Sequence, residues 1–521
     1  MKTQLKKQYI YICCVILALG TLSSCHDDLD RLPTNGMNGD QLYNSVDGYK
    51  NEMITIYSQI SSGYFIREFW NMQEIPTDEA IMTWDDPQGT FSFNSIEWNA
   101  DNSAIYEFYS MVMYNITLCN NFIIESSDAN LNERGFSEDD KQTIKTFIAE
   151  VKFLRAYFYW TMLDLFGNPP FATVETLTKG IAPEQIKQSA LFDYLVSELT
   201  DIDESDALPD RNEYGRVSKS AVWALFARLY LNAETYSGTK HYTEAISYSN
   251  KVINAGYSLE KNYNWLMLGD NHLNTNEFIF TANFDNEKML VWGGTSYLAL
   301  GPANVPKSVN GMSDSWTSLR VRPSFVSLFP SADTLTDKRG AFWTSTQSLE
   351  IDNIADYNQG YSVFKYRNLD RSGNPIPQNN IYNNISDIDF PLFRLGEIYL
   401  IYAESVLRGG TGGDNATALT YINKLRGRAY ANNPESTNGN ISSGQLTLNF
   451  ILDERARELY WEGHRRTDLI RYGKFTSADY LWEWKGGAAT GMAVGDKYKL
   501  YPIPATDLVA NSNLEQNPGG Y

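Results

Sequence analysis

The sequence predicts a mainly α-helical protein, in which tetratricopeptide-like helical hairpins form a scaffold and a large loop-rich region with few short strands carries the ligand site. Three observations indicate this fold. Amphipathic helical patterns dominate residues 25–261, two pairs of helical segments recur along the chain, and residues 262–389 lose this periodicity and are rich in Asn, Ser, Gly and Pro. A long irregular region inside a compact protein is usually functional.

The charge balance argues against nucleic acid as a partner. The 521 residues include 43 Lys and Arg against 63 Asp and Glu, and no basic run follows residue 7. Affinity for phosphates comes mostly from basic side chains, so nucleic acids and anionic membrane surfaces are excluded as partners. The 34 Tyr and 12 Trp exceed what a core of this size needs, and some of them are therefore expected at the surface.

The N-terminus predicts an exported lipoprotein. Three early lysines precede an apolar stretch over residues 9–22, which is too short to span a membrane and is followed by small residues and Cys25. We interpret residues 1–24 as a signal peptide and Cys25 as the lipidated cysteine. No later segment approaches about 20 continuous apolar residues, so the remainder is expected to be anchored rather than embedded.

Cysteine and histidine usage argues against disulfides and against His or Cys metal sites. Once the signal and the lipidated residue are set aside, Cys119 is the one cysteine left, and it lies on an apolar stripe of helical spacing that predicts a core position. None of the four histidines is paired at ligand spacing.

The helices can be placed from their ends. Ser137 and Asp140 form a predicted capping box, and the helix that follows ends at Phe166 before a Gly-Asn-Pro-Pro run. Another helix is predicted to begin near Ser218, with alanines on one face, and a further helix covers residues 242–255.

A second helix pair is predicted over residues 392–407 and 416–428. The glycine-rich segment 409–413 joins them, and because no strand precedes it and no Lys follows it, a plain turn is favoured over a phosphate cradle. Both pairs resemble tetratricopeptide units, although they are not contiguous.

The common catalytic signatures are absent from the sequence: it contains no HExxH, GxSxG, GxGxxG or GxxxxGK[ST] motif. Paired carboxylates for glycoside hydrolysis stay open, because the spacing that matters is spatial. Asp270, with Asn271, Asn274 and Asn276 nearby, is a weak candidate Ca²⁺ site, whereas the acidic residues 201–210 are more typical of a solvated helix end. The sequence requires no cofactor and leaves Ca²⁺ open.

The C-terminal half contains an ordered series of motifs that is specific enough to be compared with known protein families. They are Phe393–Ser405 (FRLGEIYLIYAES), Ile422–Ala429 (INKLRGRA), Asp453–Leu459 (DERAREL), Glu462–Leu469 (EGHRRTDL), Tyr501–Pro504 (YPIP) and Asn517–Tyr521 (NPGGY). Together with Cys25, this ordered set resembles the SusD/RagB family of outer-membrane lipoproteins over essentially the whole mature chain. The resemblance implies a helical-repeat protein without catalysis that covers a TonB-dependent transporter of the SusC type as a lid and hands it glycan.

The resemblance divides the chain into an N-terminal helical region over residues 25–261 and a C-terminal region over residues 262–521, integrated into one globular body. The loop-rich insert 262–389 belongs to the second region. We expect the transporter contact on repeat helices within residues 40–260.

Most of these motifs are expected to be scaffold. Arg457, Arg465, Arg466 and Asp468 predict a buried ion-pair network that fixes how their helix meets the Tyr501–Pro504 tail.

Within the family the sequence is similar to the starch-binding founder, and that similarity implies an aromatic arc for α-glucan at Trp84, Tyr297 and Trp316. Two positions depart from the founder, which has a second Trp where this chain has Met82 and an Asn where it has Pro87. The arc is therefore predicted to be thinner.

The residue chemistry agrees with sugar binding. Aromatic faces suit the C–H faces of pyranose rings, and polar groups fix the hydroxyls. Trp84 lies in a polar, irregular stretch beside Asp85, where a core Trp would be unusual, and both residues are candidate ligand contacts. Arg320 and Arg322, beside Trp316, could donate to hydroxyls or pair with local acids.

The sequence thus predicts a cell-surface glycan-binding lipoprotein, with starch-type α-glucan as the first candidate ligand. Two alternatives stay open. A glycoside hydrolase would need two carboxylates at a cleft, and a peptide-importing lid or scaffold would bind no glycan.

Overall fold

The computed structural model describes residues 42–61, 63–330, 336–378, 381–382 and 384–521. Helices dominate this part of the chain, and its strands form three antiparallel pairs of two strands each. The predicted fold class is confirmed. Residues 1–24 and Cys25 lie outside the described residues, so the predicted signal peptide and lipid anchor stay predictions.

The first helices of the described chain centre on the long helix Glu138–Phe166, against which the helices Val46–Ser61, Ser103–Glu125 and Gln188–Glu204 pack. They are α1 (Val46–Ser61), α2 (Phe65–Glu74), α3 (Ser103–Glu125), α4 (Asp128–Glu133), α5 (Glu138–Phe166), α6 (Val174–Lys179) and α7 (Gln188–Glu204). The Ser137 hydroxyl accepts from the Asp140 N–H at 3.2 Å and the Asp140 carboxylate accepts from the Ser137 N–H, which confirms the capping box. Gly167, at φ 68°, ends α5 where predicted.

Cys119 is buried on α3, which packs on α5, so the core prediction for this residue is confirmed.

The helical hairpins stack on one another although they are far apart in sequence. Their helices are α8 (Lys219–Leu231), α9 (Ala233–Ser237), α10 (Tyr242–Asn254), α14 (Leu395–Leu407) and α15 (Asn415–Ala431). Helix α10 packs on both α8 and α14, and α14 packs on α15. The 409–413 segment is a turn whose Thr411 N–H donates to the Thr243 hydroxyl at 3.0 Å, so the turn also joins the two hairpins.

The loop-rich region contains short elements only. They are β2 (Phe278–Ala282), α11 (Thr295–Leu300), α12 (Lys307–Asn310), β3 (Leu319–Arg320), α13 (Pro323–Val326), β4 (Phe342–Trp343), β5 (Ser362–Val363) and β6 (Phe390–Arg394), and β1 (Ile81–Met82) precedes them in the chain. The pairs are β1–β3, β2–β6 and β4–β5. Residues 392–394 were predicted as helix but belong to β6, which runs directly into α14.

The remaining elements complete the C-terminal region. They are α16 (Leu448–Leu459), α17 (Arg465–Arg471), α18 (Ala505–Ala510) and 3-10 turns at Thr90–Ser95, Tyr263–Met267, Asn271–Leu273, Ser443–Gln445, Lys485–Gly487 and Asp496–Lys499. The Tyr501 N–H donates to the Leu165 carbonyl at 2.7 Å and its hydroxyl donates to the Met72 carbonyl at 2.8 Å. The C-terminal tail is thereby tied to α2 and α5.

The predicted ion-pair network is buried, but its residues pair with several different partners and do not form one cluster among themselves. Arg465 forms a bidentate pair with Asp78 at 2.7 Å, Arg457 pairs with Glu454, and Asp468 pairs with arginines on α16 and α17. Arg466 donates to backbone carbonyls just before the tail and lies 4.6 Å above the Tyr501 ring. These contacts fix α17 to the tail and to the loop before β1.

No helix in the described part of the chain is long and apolar enough to cross a membrane.

Candidate functional site

A short strand pair brings two tryptophans together. Ile81 and Met82 of β1 pair antiparallel with Arg320 and Leu319 of β3, so the chain just after β1 runs beside the chain just before β3. The Thr83 N–H donates to the Ser318 carbonyl at 3.1 Å, which continues the pairing. The Trp84 and Trp316 rings consequently lie with centroids 5.9 Å apart and planes inclined by 38°, and both indoles are half-buried.

Tyr297 lies on the inner side of this pair, and we call Trp84, Trp316 and Tyr297 together the aromatic row. Tyr297 lies in the first turn of α11, and its ring centroid is 6.4 Å from that of Trp316. The side chain is fully buried, its hydroxyl donates to Asn71 Oδ1 at 2.9 Å, and Trp70 packs edge-on against the ring. The structure therefore brings the three predicted aromatic residues together, with two indoles at the surface and Tyr297 beneath them as a support.

The departures from the founder have clear structural consequences. Met82 is fully buried, and its backbone is bonded in both directions to the Asn94 side chain at 2.9 Å. This position thus adds no ring to the surface. Asp85 and Pro87 are exposed beside Trp84, and Asp86 turns inward to accept from the Thr90 N–H at 2.9 Å.

Arg67 is a polar component of the row that the sequence did not reveal. Its guanidinium carbon lies 4.9 Å from the Tyr297 ring and 5.3 Å from the Tyr64 ring, and Glu68 approaches its Nε at 3.4 Å. The Nε atom is buried and has no hydrogen-bond acceptor within the described residues. Arg67 lies on the amphipathic helix α2, where no local pattern distinguishes it from other surface arginines. A guanidinium held between two tyrosines beside two indoles is suited to donate to hydroxyl groups.

Arg320 and Arg322 do not face the surface, contrary to their candidate role as hydroxyl donors. Arg320 donates to the backbone carbonyls of residues 354, 356 and 359 at 2.5–2.7 Å, and Arg322 donates to those of residues 75, 80 and 94 at 2.9–3.0 Å. Burial lowers the pKa of Arg320 to about 10 and that of Arg322 to about 9. Sequence proximity to Trp316 gave no information on direction, and both residues anchor the loops that carry the row.

The calcium hypothesis at Asp270 finds no support. Asp270 Oδ2 accepts from the Arg371 N–H at 2.9 Å, while Asn271 and Asn274 donate to backbone carbonyls at 2.8–2.9 Å. Apart from Asp270 Oδ1, which is buried without a hydrogen-bond partner among the described residues, these contacts belong to the loop itself. No group of three or more His, Cys, Asp or Glu suited to a metal occurs in the described part of the chain.

Two buried carboxyl groups lie beneath the row. The Glu74 carboxylate accepts from the Gly463 and His464 N–H groups at 2.6 and 3.0 Å, and Glu79 accepts from the Trp461 N–H at 3.0 Å. Burial raises the pKa of Glu74 to about 7, and burial together with the neighbouring Glu74 carboxylate raises the pKa of Glu79 well above its ordinary value. They are enclosed, so they cannot serve as a catalytic pair acting on a surface-bound substrate.

A helical-repeat scaffold that holds inclined indoles and an arginine on short, rigidly anchored loops defines a binding protein with an aromatic platform. The family model of the SusD family matches residues 335–521. Over its full length the chain is 32% identical to the starch-binding protein SusD of Bacteroides thetaiotaomicron, and the alignment covers 100% of both chains. The chain therefore belongs to the SusD family.

Other relatives agree with this assignment. SusD-like protein P25 of Formosa agariphila is 26% identical, with 94% of this chain and 95% of that protein covered. Among solved structures, the surface glycan-binding protein A of Bacteroides thetaiotaomicron in complex with laminarihexaose has a TM-score of 0.71 at 22% identity, covering 90% of this chain and 99% of that one. A SusD homolog from the same species has a TM-score of 0.74 at 19% identity, covering 94% and 99%.

The predicted family and fold are confirmed by these comparisons. The prediction that the chain is not an enzyme is confirmed too, because proteins of the SusD family bind glycans without catalysis.

Proposed function

We propose that this chain is a cell-surface lipoprotein that captures oligosaccharide or polysaccharide on Trp84 and Trp316. The inclined indole pair, with centroids 5.9 Å apart, carries the proposal. Half-buried indoles on a polar loop offer flat apolar faces to the C–H faces of pyranose rings. Arg67 then supplies donors for the sugar hydroxyls, and Tyr297 holds the row in place from below.

Starch-type α-glucan is the proposed ligand. The 32% identical relative is named for binding starch, and two indole planes inclined by 38° suit a curved chain better than a flat one. A β-glucan of the laminarin type is the second candidate to test, since one structural neighbour holds laminarihexaose. Affinity for a single oligosaccharide should be modest, because a shallow platform buries little area and hydroxyls largely exchange water for protein.

The cellular setting follows from the family. SusD family proteins are outer-membrane surface lipoproteins. We place removal of residues 1–24, lipidation of Cys25, and a role as capture lid of a SusC-type TonB-dependent transporter in the same proposal. The transporter would contact repeat helices within residues 40–260, and the insert 262–389 would carry the glycan side.

The test is isothermal titration of protein lacking residues 1–25 with maltoheptaose, laminarihexaose, xylan and fructan. Wild-type protein should bind maltoheptaose, and Trp84→Ala should weaken that binding by about tenfold or more. Trp223→Ala is the matched control, because Trp223 is also half-buried but lies on α8, where it bonds to Asp203. Binding by none of the glycans, or equal loss in both variants, would contradict the proposal.

A further inference from the structure

A second aromatic patch lies beside the row. We name it the Trp292 patch and define it as Tyr64, Leu290, Trp292, Ile381 and Tyr382. Four of its members, all except the half-buried Trp292, are large apolar side chains between 43% and 82% exposed. Contiguous exposed apolar groups on a soluble surface commonly mark an interaction site.

The Trp292 indole is held in a fixed orientation. Its ring meets the Tyr382 ring edge-on with centroids 4.7 Å apart, and its Nε1–H donates to Asn384 Oδ1 at 3.2 Å. The ring is therefore oriented, and its polar atom is satisfied, without being taken into the core. An indole of this kind can present apolar area at little cost in side-chain entropy.

The patch is continuous with the aromatic row through Gly293. A Cβ atom at Gly293 would lie 2.0 Å from the Gly63 carbonyl oxygen and 2.7 Å from the Tyr64 Cα, so the chain after Trp292 passes directly over Tyr64. Consecutive Cα atoms are about 3.8 Å apart, which places the Trp292 Cα within about 8 Å of the Tyr64 Cα.

Arg67 completes the connection. Its N–H donates to the Gly293 carbonyl at 2.9 Å, and its guanidinium lies between the Tyr64 and Tyr297 rings. Trp292, Tyr64, Arg67, Tyr297, Trp316 and Trp84 thus form one sequence of neighbours, which follows the surface except at the buried Tyr297. Apolar rings alternate there with polar groups from Arg67 and Asn384, the combination that recognises a sugar chain.

We infer that the Trp292 patch is a further contact for the same glycan chain, so that the protein selects chains long enough to reach from Trp84 to Trp292. This inference rests on the proposed function. A short oligosaccharide would contact the Trp84–Trp316 pair but would not reach the Trp292 patch. A longer chain gains the second contact at high effective concentration, because it is already bound at the first.

The experiment compares ligand lengths in three variants. Maltotriose and amylose, with laminaritriose and laminarin in parallel, are titrated against wild type, Trp84→Ala, Trp292→Ala and Tyr382→Ala. We expect Trp292→Ala and Tyr382→Ala to bind the polymer roughly five- to tenfold more weakly and the trisaccharide unchanged. Trp84→Ala should weaken both ligands. Tyr382→Ala provides an independent reading if Trp292→Ala lowers the melting temperature.

Each other outcome overturns the inference in a recognisable way. If wild type binds neither series, the proposed function fails and the inference fails with it. If Trp84→Ala weakens binding while both patch variants bind the polymer as wild type does, the proposed function stands and the patch is left to a protein partner. If the patch variants weaken trisaccharide and polymer equally, the patch belongs to the primary site rather than to an extension of it.

Discussion

The proposed role of Arg67 in glycan binding depends on the planar shape of its guanidinium group. Arg67→Lys keeps the charge but loses the planar guanidinium that stacks between Tyr64 and Tyr297. We expect roughly fivefold weaker glycan binding for Arg67→Lys and a larger loss for Arg67→Ala, measured by titration with maltoheptaose. Arg211→Lys is the control, since Arg211 also stacks on a tyrosine, at 4.2 Å from Tyr257, but far along the chain from the row. Wild-type affinity in Arg67→Lys would remove Arg67 from the site.

The Glu74–Glu79 pair predicts a pH dependence of stability. Both folded-state pKa values are raised by burial, so the folded protein retains protons that the unfolded chain has released. Stability contributed by Glu74 is full below the ordinary Glu pKa of about 4.5 and is lost as pH rises through about 7, and stability contributed by Glu79 is lost as pH rises through its own raised pKa.

Glu79→Gln tests this dependence. The Gln amide can donate to Glu74 as a protonated Glu79 would, and its oxygen can still accept from the Trp461 N–H. We expect the melting temperature of the variant, followed by circular dichroism from about pH 5 to about pH 8, to fall less steeply than that of wild type. Identical slopes would show that the pair carries no proton in this range.

The polarity of the surrounding sequence was informative about burial. Trp84 was expected outside the core because a core Trp does not fit a polar, irregular stretch, and the structure leaves it half-buried. Its contact with glycan stays a prediction. The direction in which a side chain points could not be predicted from the neighbouring sequence. Arg320 and Arg322 are neighbours of Trp316 in sequence but turn to buried carbonyls, and Arg67 reaches the row only through the contact of α2 with the Gly293 segment.

At the scale of elements, the β1–β3 pair holds the row. Two residues in each strand are too few to fix the loops alone. The four carbonyls that accept from Arg322, those of residues 75, 80, 94 and 483, supply the remaining restraint. The loop that ends at Trp84 is therefore positioned by a buried side chain as well as by the strand pair.

Arg322→Met tests whether this buried side chain anchors the Trp84 loop, and comparison with Trp84→Ala separates that anchoring from the surface chemistry of the indole. The substitution leaves buried carbonyls without donors, and we expect a loss of about 3 kcal/mol in the free energy of unfolding, measured by denaturant titration. Glycan binding should weaken as well, because the Trp84 loop is released. Trp84→Ala, by contrast, should weaken binding with little change in stability. A stable Arg322→Met protein with normal binding would refute this anchoring role.

Element boundaries were predictable where capping residues mark them. Both ends of α5 followed from Ser137 and Gly167, and the start of α8 followed from Ser218. The helix predicted over residues 242–255 agrees with α10 within a residue. Strand β6 was missed, because apolar residues continue on both sides of Arg394 and no Gly, Pro or Asn turn marks the passage from strand to helix. Strands of two residues have no periodicity to detect, and the partner of β1 lies more than 200 residues away.

At the scale of the whole molecule, a buried charge network joins the helical hairpins to the loop-rich region. Glu458 on α16 pairs with Arg339, Arg394 and Arg428, which come from the insert, from β6 and from α15. Glu277 pairs with two of the same arginines. The charges are fully buried, so each depends on its partners being present.

Glu458→Gln should therefore destabilise the entire protein. We expect a loss of about 3 kcal/mol or more, seen as a large fall in the melting temperature, because three buried arginines lose one carboxylate. Glu435→Gln is the control, since its pair with Lys424 at 3.0 Å is exposed and should contribute about 0.5 kcal/mol or less. Equal melting temperatures for the two variants would show that the network does not hold the regions together.

The proposed platform for glycan, formed by Trp84 and Trp316, can be observed in a crystal structure of the protein lacking residues 1–25 soaked with maltoheptaose. We expect successive glucose rings stacked over the two indoles, with the Arg67 guanidinium donating to a sugar hydroxyl. Ligand bound away from these indoles, or crystals that stay free of ligand at saturating concentration, would contradict the proposal.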